Sequence, residues 1–211
     1  NLDLSNGKAA LQALNVKSPL LAQQMLYGKV SRLQFSMKGP TEKPDIALTA
    51  YPVDVRFEPY GTKRTMRVTS GVATYVGDVF TGKNLTVINT RSRMLLSARI
   101  EHLTGKSRLT DLHLQTSNLD FGDLNSYLIA NSTPATLRQP YLSGIKKLNL
   151  TNPHGQLVGK LDYSRPVKDG KLLLYSNLSV KNVGFTVDRM NVMNVNGIIA
   201  SQDNNLVGQN F

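Results

Sequence analysis

Apolar and polar residues alternate with a period of two along most of this chain, the pattern of strands that bury one face. Leu33, Phe35 and Met37 alternate with Arg32, Gln34 and Ser36. Ile46 and Leu48 lead to Val53, Val55 and Phe57, with Asp54 and Arg56 between them. Met94, Leu96, Ala98 and Ile100 repeat the pattern, and Leu112 and Leu114 follow against Asp111, His113 and Gln115. Leu178 and Val180 lead to Val183, Phe185 and Val187. Each run spans roughly 15 to 25 Å at the rise of a strand. About a dozen such runs predict a mainly β protein, one long antiparallel meander.

Turn chemistry separates the runs. Asn6-Gly7, Asp169-Gly170 and Asn196-Gly197 are hairpin dipeptides, because Asn, Asp and Gly tolerate positive φ. Gly-Lys recurs at residues 7, 28, 82, 105, 159 and 170 and reads as further turn punctuation. Helical signals are few. Ser18, Pro19 and Gly28 bracket a short helix near 19–27, with Pro at the first helical position and Gly at the stop. Leu124, Tyr127 and Leu128 predict a second over 123–130. Pro134 and Pro140 mark a linker over 131–140. The division expected is therefore a sheet segment over 1–130 and a second over 141–211, continuous with the first.

Composition supports the β reading. Of 211 residues, 40% are hydrophobic and only 18% charged. The remainder is rich in Asn, Ser and Thr, which suit turns and sheet faces. Cysteine is absent, which excludes a disulfide scaffold and a thiolate metal site. No run of 18 apolar residues occurs, so no membrane-spanning helix is expected. The chain starts at Asn1, which points to a processed protein or an excised piece with an anchor upstream.

Lys and Arg outnumber Asp and Glu by 25 to 14, a net charge of +11. That field attracts anionic partners. Nucleic acid is not expected, because the basic residues are scattered and no aromatic residues interleave with them as stacking platforms. The densest cluster is Lys63, Arg64 and Arg67, the candidate for binding anionic headgroups. His102, His113 and His154 share no metal-ligand spacing. There is no G-x-S-x-G elbow, and Gly105-Lys106-Ser107 lacks the leading glycine of a phosphate loop, since Ile100 stands there. No enzyme, metal or cofactor is expected.

A one-sided sheet must cover its apolar face. It closes into a barrel, packs on a second sheet, or curls into a groove with an apolar guest. Trp is absent and aromatics are 7%, so the face is mainly Leu, Val, Ile and Met, which suits flexible acyl chains as well as a core. Burying about sixteen methylenes supplies roughly 13 kcal/mol before ordering costs. From periodicity alone an ordinary core is the better reading.

Particular phrases add a resemblance. Residues 39–48 (GPTEKPDIAL) pass from a strand-ending glycine through a proline turn into the next strand. Residues 117–128 (SNLDFGDLNSYL) read as a strand running into a short helix. With residues 155–161, 178–185 and 195–198, these resemble the AsmA-like family, the AsmA/TamB/YhdP group of bacterial envelope proteins. The resemblance implies a taco-like groove or open barrel, anchored at the inner membrane through a segment outside this chain and projecting into the periplasm. It implies phospholipid transport toward the outer membrane, or outer-membrane assembly, with phospholipid or another acyl lipid as partner, envelope proteins as further partners, and no catalysis. The groove walls expected are Leu33, Phe35, Met37, Ile46, Leu48, Val53, Val55, Phe57, Met94, Leu96, Leu112, Leu114, Leu178, Val180, Val183 and Phe185. The other reading is a β-sandwich structural or interaction module of an envelope or secreted assembly.

Overall fold

The structure, a computed structural model, describes residues 2–3, 26–40, 45–58, 65–101, 110–129, 149–165, 173–202 and 205–210. Eleven strands form one sheet in strict sequence order, each antiparallel to the next. They are β1 (Leu2–Asp3), β2 (Leu26–Lys38), β3 (Asp45–Phe57), β4 (Met66–Val76), β5 (Val79–Ile88) and β6 (Arg93–Glu101). Then come β7 (Thr110–Asp120), helix α1 (Phe121–Ile129), β8 (Leu150–Arg165), β9 (Leu173–Val187), β10 (Met190–Gln202) and β11 (Asn205–Gln209). The mainly β meander with a short helix is the fold that the alternation predicts. Strands β7 and β8 pair directly, from Thr110 opposite Arg165 to Asp120 opposite Gln156, so the segments on either side of 130–148 share one sheet.

The strands are long, and most pairings slip register at least once. Shifts occur between Lys29 and Arg32, Val68 and Val72, Gly82 and Leu85, Thr116 and Leu119, Thr151 and Gln156, and Val192 and Gly197. Each bulge bends its strand and increases the local twist. The described non-glycine residues with positive φ are all Asn or Asp: Asp78, Asn84, Asn149, Asn152, Asn182, Asp188, Asn194 and Asn210. Their short polar side chains tolerate the left-handed region. Much of the asparagine content is thus bulge and turn chemistry.

The turn dipeptides need correction. Asn196-Gly197 lies inside β10, where Asn196 Oδ1 accepts a 2.9 Å hydrogen bond from the backbone N–H of Asn182 at the matching bulge of β9. Gly28-Lys29, Gly82-Lys83 and Gly159-Lys160 also lie within strands. At Gly82 the Leu85 side chain folds back over the backbone, with Cδ1 2.6 Å from where a Cβ would stand. The described tight turns are instead Gly77-Asp78, with φ of 55° and 65°, and Asp188-Arg189. The remaining Gly-Lys pairs, Asn6-Gly7 and Asp169-Gly170 fall outside the described residues.

Of the two helices expected, 123–130 is realised as α1, starting two residues earlier. Asp120 caps it, its Oδ1 accepting from the Asp123 N–H at 3.0 Å. At the other, Leu26 and Tyr27 open β2 and are not helical. Residues 19–25 and the linker 131–140 lie outside the described residues.

Candidate functional site

Residues directly opposite in an antiparallel pair lie on the same face of the sheet. The register therefore traces rows across it. One row runs Val55, Val68, Val87, Met94, Thr116, Gly159, Leu178 and Ile199. A second runs Leu85, Leu96, Leu114, Leu161 and Ser176. A third, Leu33, Ala50, Ala73, Gly82, Ala98, Leu112 and Tyr163, has small residues at its centre. The fourth is Phe35, Leu48, Tyr75, Phe80 and Ile100. Together they make one apolar face. The opposite face carries rows such as Gln34, Thr49, Thr74, Thr81, Arg99 and Asp111.

Burial on the apolar face is uneven. Beside α1 it is dry: Val68, Val87, Met94, Leu119, Leu157, Leu178, Val180 and Val183 are buried, and Phe121 and Leu124 of α1 pack on them. Toward the Gly77-Asp78 turn and β2 it is wet. Leu33 is 40% exposed, Phe35 45% and Met37 56%, while Ile46, Leu48, Tyr75, Phe80 and Ile100 are half-buried. A core would bury such side chains.

The polar network that seats α1 is compact. Ser92, in the β5–β6 turn, donates to Asp123 Oδ2 at 2.6 Å and accepts from the Asp120 N–H at 3.0 Å. Asn89 donates to the Tyr127 hydroxyl at 2.6 Å, and Asn118 donates to the Arg91 carbonyl at 3.0 Å. A shallow 460 Å³ cavity opens beside this turn, lined by Arg91, Arg93, Asn118, Asp120 and Gln156 among others. Its Asn89, Ser92 and Asp120 groups are engaged in holding the helix.

On the outer face Ser97, His113 and Asp162 are successive partners across β6, β7 and β8, and His113 Nδ1 meets Asp162 Oδ1 at 2.8 Å. Ser97 Oγ instead accepts from the Asn84 N–H at 3.1 Å. The His113 and Asp162 side chains are 66% and 41% exposed, so a reaction there would have no water-excluding pocket.

Fifteen of the sixteen expected wall residues share the apolar face, but in two environments. Leu33, Phe35, Met37, Ile46, Leu48 and Leu112 line its exposed or half-buried part. Met94, Leu178, Val180 and Val183 are buried, with Val55, Phe57, Leu96, Leu114 and Phe185 packed against the core. Val53 is the extra residue of the β3 bulge: Asp54 pairs with Lys29 and Pro52 with Val30, leaving Val53 unpaired with β2. Alternation alone missed Tyr75, Phe80, Leu85 and Val87, because bulges at Gly71 and Asn84 break the phase of β4 and β5.

Arg67 is on the outer face, where its Nε meets Asp54 Oδ1 at 2.5 Å while Arg56 holds the same carboxylate at 3.0 Å. Arg56 first, against partial desolvation, and then Arg67 hold the Asp54 carboxyl below the usual carboxylate range. Arg67 therefore stands away from the exposed apolar rows, and Lys63 and Arg64 lie outside the described residues.

Among the described residues no helix is long and apolar enough to cross a membrane. Comparison with protein-family models, with curated proteins and with solved structures finds no match to this chain.

Proposed function

We propose that this chain is a non-enzymatic lipid-binding groove segment, whose apolar face holds acyl chains along the rows between β2 and β7. The observation that carries the reading is the exposure of Leu33, Phe35 and Met37 beside half-buried Leu48, Phe80 and Ile100 on a continuous apolar face. Contiguous exposed apolar surface marks an interaction site. The described strands lie in one sheet, with no second sheet over these rows. Flexible aliphatic side chains without fixed polar groups suit a guest that is itself aliphatic. The AsmA-like resemblance adds the setting: a periplasmic protein, anchored at the inner membrane, that passes phospholipid toward the outer membrane.

Native mass spectrometry of the purified protein, with lipid extraction alongside, tests this. Near-stoichiometric copurified phospholipid supports it. A clean apo mass that also fails to take up a fluorescent phospholipid overturns it.

A second reading has one specific observation in its favour. β1 covers only Val30 and Lys29 of β2, and residues 31–38 have no partner on that edge among the described residues. An exposed edge adds strands from partners. That structural module would form concentration-dependent oligomers and bind no lipid.

A further inference from the structure

Tyr27, Arg56, Arg67, Ile88, Arg93 and Asn118 are successive partners across β2 to β7. Each of Arg56, Arg67, Ile88 and Arg93 is the chain neighbour of a member of the apolar row Val55, Val68, Val87 and Met94. Successive strand residues point to opposite sides, so three arginines share one row of the polar face. The row lies at the end of the sheet that carries the β5–β6 turn. Arg91 in that turn and Lys29, opposite Asp54, add two cations, and all five are exposed. Among the described residues, Asp54 and Glu58 are the carboxylates near them that solvent reaches, since Asp120 and Asp123 are buried at the foot of α1. Like charges directly opposite on neighbouring strands destabilise, yet Arg56 faces Arg67. Asp54 bonds both, but it is one charge between two guanidiniums, with Lys29 as its cross-strand partner. Such a local conflict points to a use outside folding.

We infer that this arginine row docks the polar face on a membrane surface of anionic phospholipid. A guanidinium has five N–H donors. Arg56 directs Nε and Nη2 to Asp54, and Arg67 directs Nε, so each has further donors for phosphate oxygens, which guanidinium binds in a bidentate fork. The cations lie at one end of a face rather than along a cleft, which suits an extended anionic surface. The row also holds half-buried Ile88 and ends at Tyr27, which is 36% exposed. A tyrosine beside basic residues fits the boundary between headgroups and acyl chains, and one aromatic ring makes no stacking platform for nucleic acid. The contact is on the opposite side of the sheet from the apolar rows and does not depend on their holding lipid.

Co-sedimentation with vesicles tests this. The unaltered protein is expected to bind phosphatidylglycerol vesicles at low salt, to leave phosphatidylcholine vesicles unbound, and to be released as salt screens the charges. Arg67→Gln with Arg91→Gln is expected to weaken binding about thirty-fold, and either substitution alone about five-fold, the worth of two and of one basic side chain near an anionic surface. Lys38→Gln with Arg99→Gln removes the same net charge from exposed positions at the far end of the sheet and is expected to change binding less than about two-fold. Equal losses from the two pairs would reduce the attraction to net charge and overturn the row. Equal binding to both kinds of vesicle, or to neither, overturns the docking. A DNA duplex bound more tightly than phosphatidylglycerol vesicles at the same salt overturns the membrane assignment. Uptake of a fluorescent phospholipid by the apolar face is a separate readout, so either reading can fail without the other.

Discussion

Ser92 Oγ and Asp123 Oδ2 lie 2.6 Å apart, joining the β5–β6 turn to the first turn of α1 across 31 residues of sequence. Asp123 is fully buried. The same hydroxyl accepts from the Asp120 N–H, and the Asp120 carboxylate in turn caps the helix. One serine thus completes a buried network, in which a missing member is costly because its partners stay desolvated. Ser92→Ala is expected to destabilise the protein by about 2 kcal/mol, read from the urea midpoint. A change below about 0.5 kcal/mol, the size of an ordinary surface substitution, would show that the hydroxyl does not hold the helix.

The glycines with positive φ are not equivalent. A Cβ at Gly155, where φ is +108°, would meet Val183 Cα at 2.5 Å, whereas at Gly77, with φ +55°, it would meet nothing within 4 Å. Gly77→Ala has only the backbone cost of the left-handed region, about 1 kcal/mol. Gly155→Ala must also push β9 away, and a loss of more than about 3 kcal/mol is expected, with overpacking added to strain. Thermal melts of the two variants side by side check the order; equal losses would mean that β9 yields freely at Val183.

Asp54 sits between Arg56 and Arg67 and its carboxyl is held below the usual range, with Arg56 the larger cause. A carboxyl depressed on folding adds stability that is fully present above its unfolded value and is lost as pH falls through the folded one. Both arginines are exposed, so the effect is small and salt-sensitive. Between about pH 5 and pH 2, around the carboxylate range, Asp54→Asn is expected to lose less stability than the unaltered protein at low salt. Coincident acid-unfolding curves would count against the pairing.

Ser176 Oγ is buried without a hydrogen-bond partner among the described residues, in the row with Leu114 and Leu161. An unpaired buried hydroxyl destabilises, and removing it restores an apolar contact. Ser176→Ala is therefore expected to raise stability by about 1 kcal/mol, seen as an upward shift of the melting temperature. A loss of similar size would reveal a partner for the hydroxyl.

Strand identity, antiparallel order and the helix α1 were legible in the sequence, because a period of two and a helical spacing at Leu124 and Tyr127 are local properties of the chain. So was part of the apolar face, whereas its β4 and β5 members Tyr75, Phe80, Leu85 and Val87 were not, because bulges break the phase there. The punctuation was misread: Asn-Gly and Gly-Lys also stand inside strands, where Asn196 and Gly197 keep negative φ, and only pairing partners distinguish Asn196 within β10 from Asp78, with φ 65°, at a true turn.

Sequence by itself determined that one face would be apolar, since alternation assigns each side chain to a side without reference to any other strand. Only the tertiary structure decided which of those side chains are core. Met94 and Met37 carry the same signal, yet Met94 is 7% exposed, with α1 at its end of the sheet, and Met37 is 56% exposed near the far end of an outer strand. Burial depends on what packs above a residue, and that is set by register, bulges and a helix more than twenty residues away from Met94.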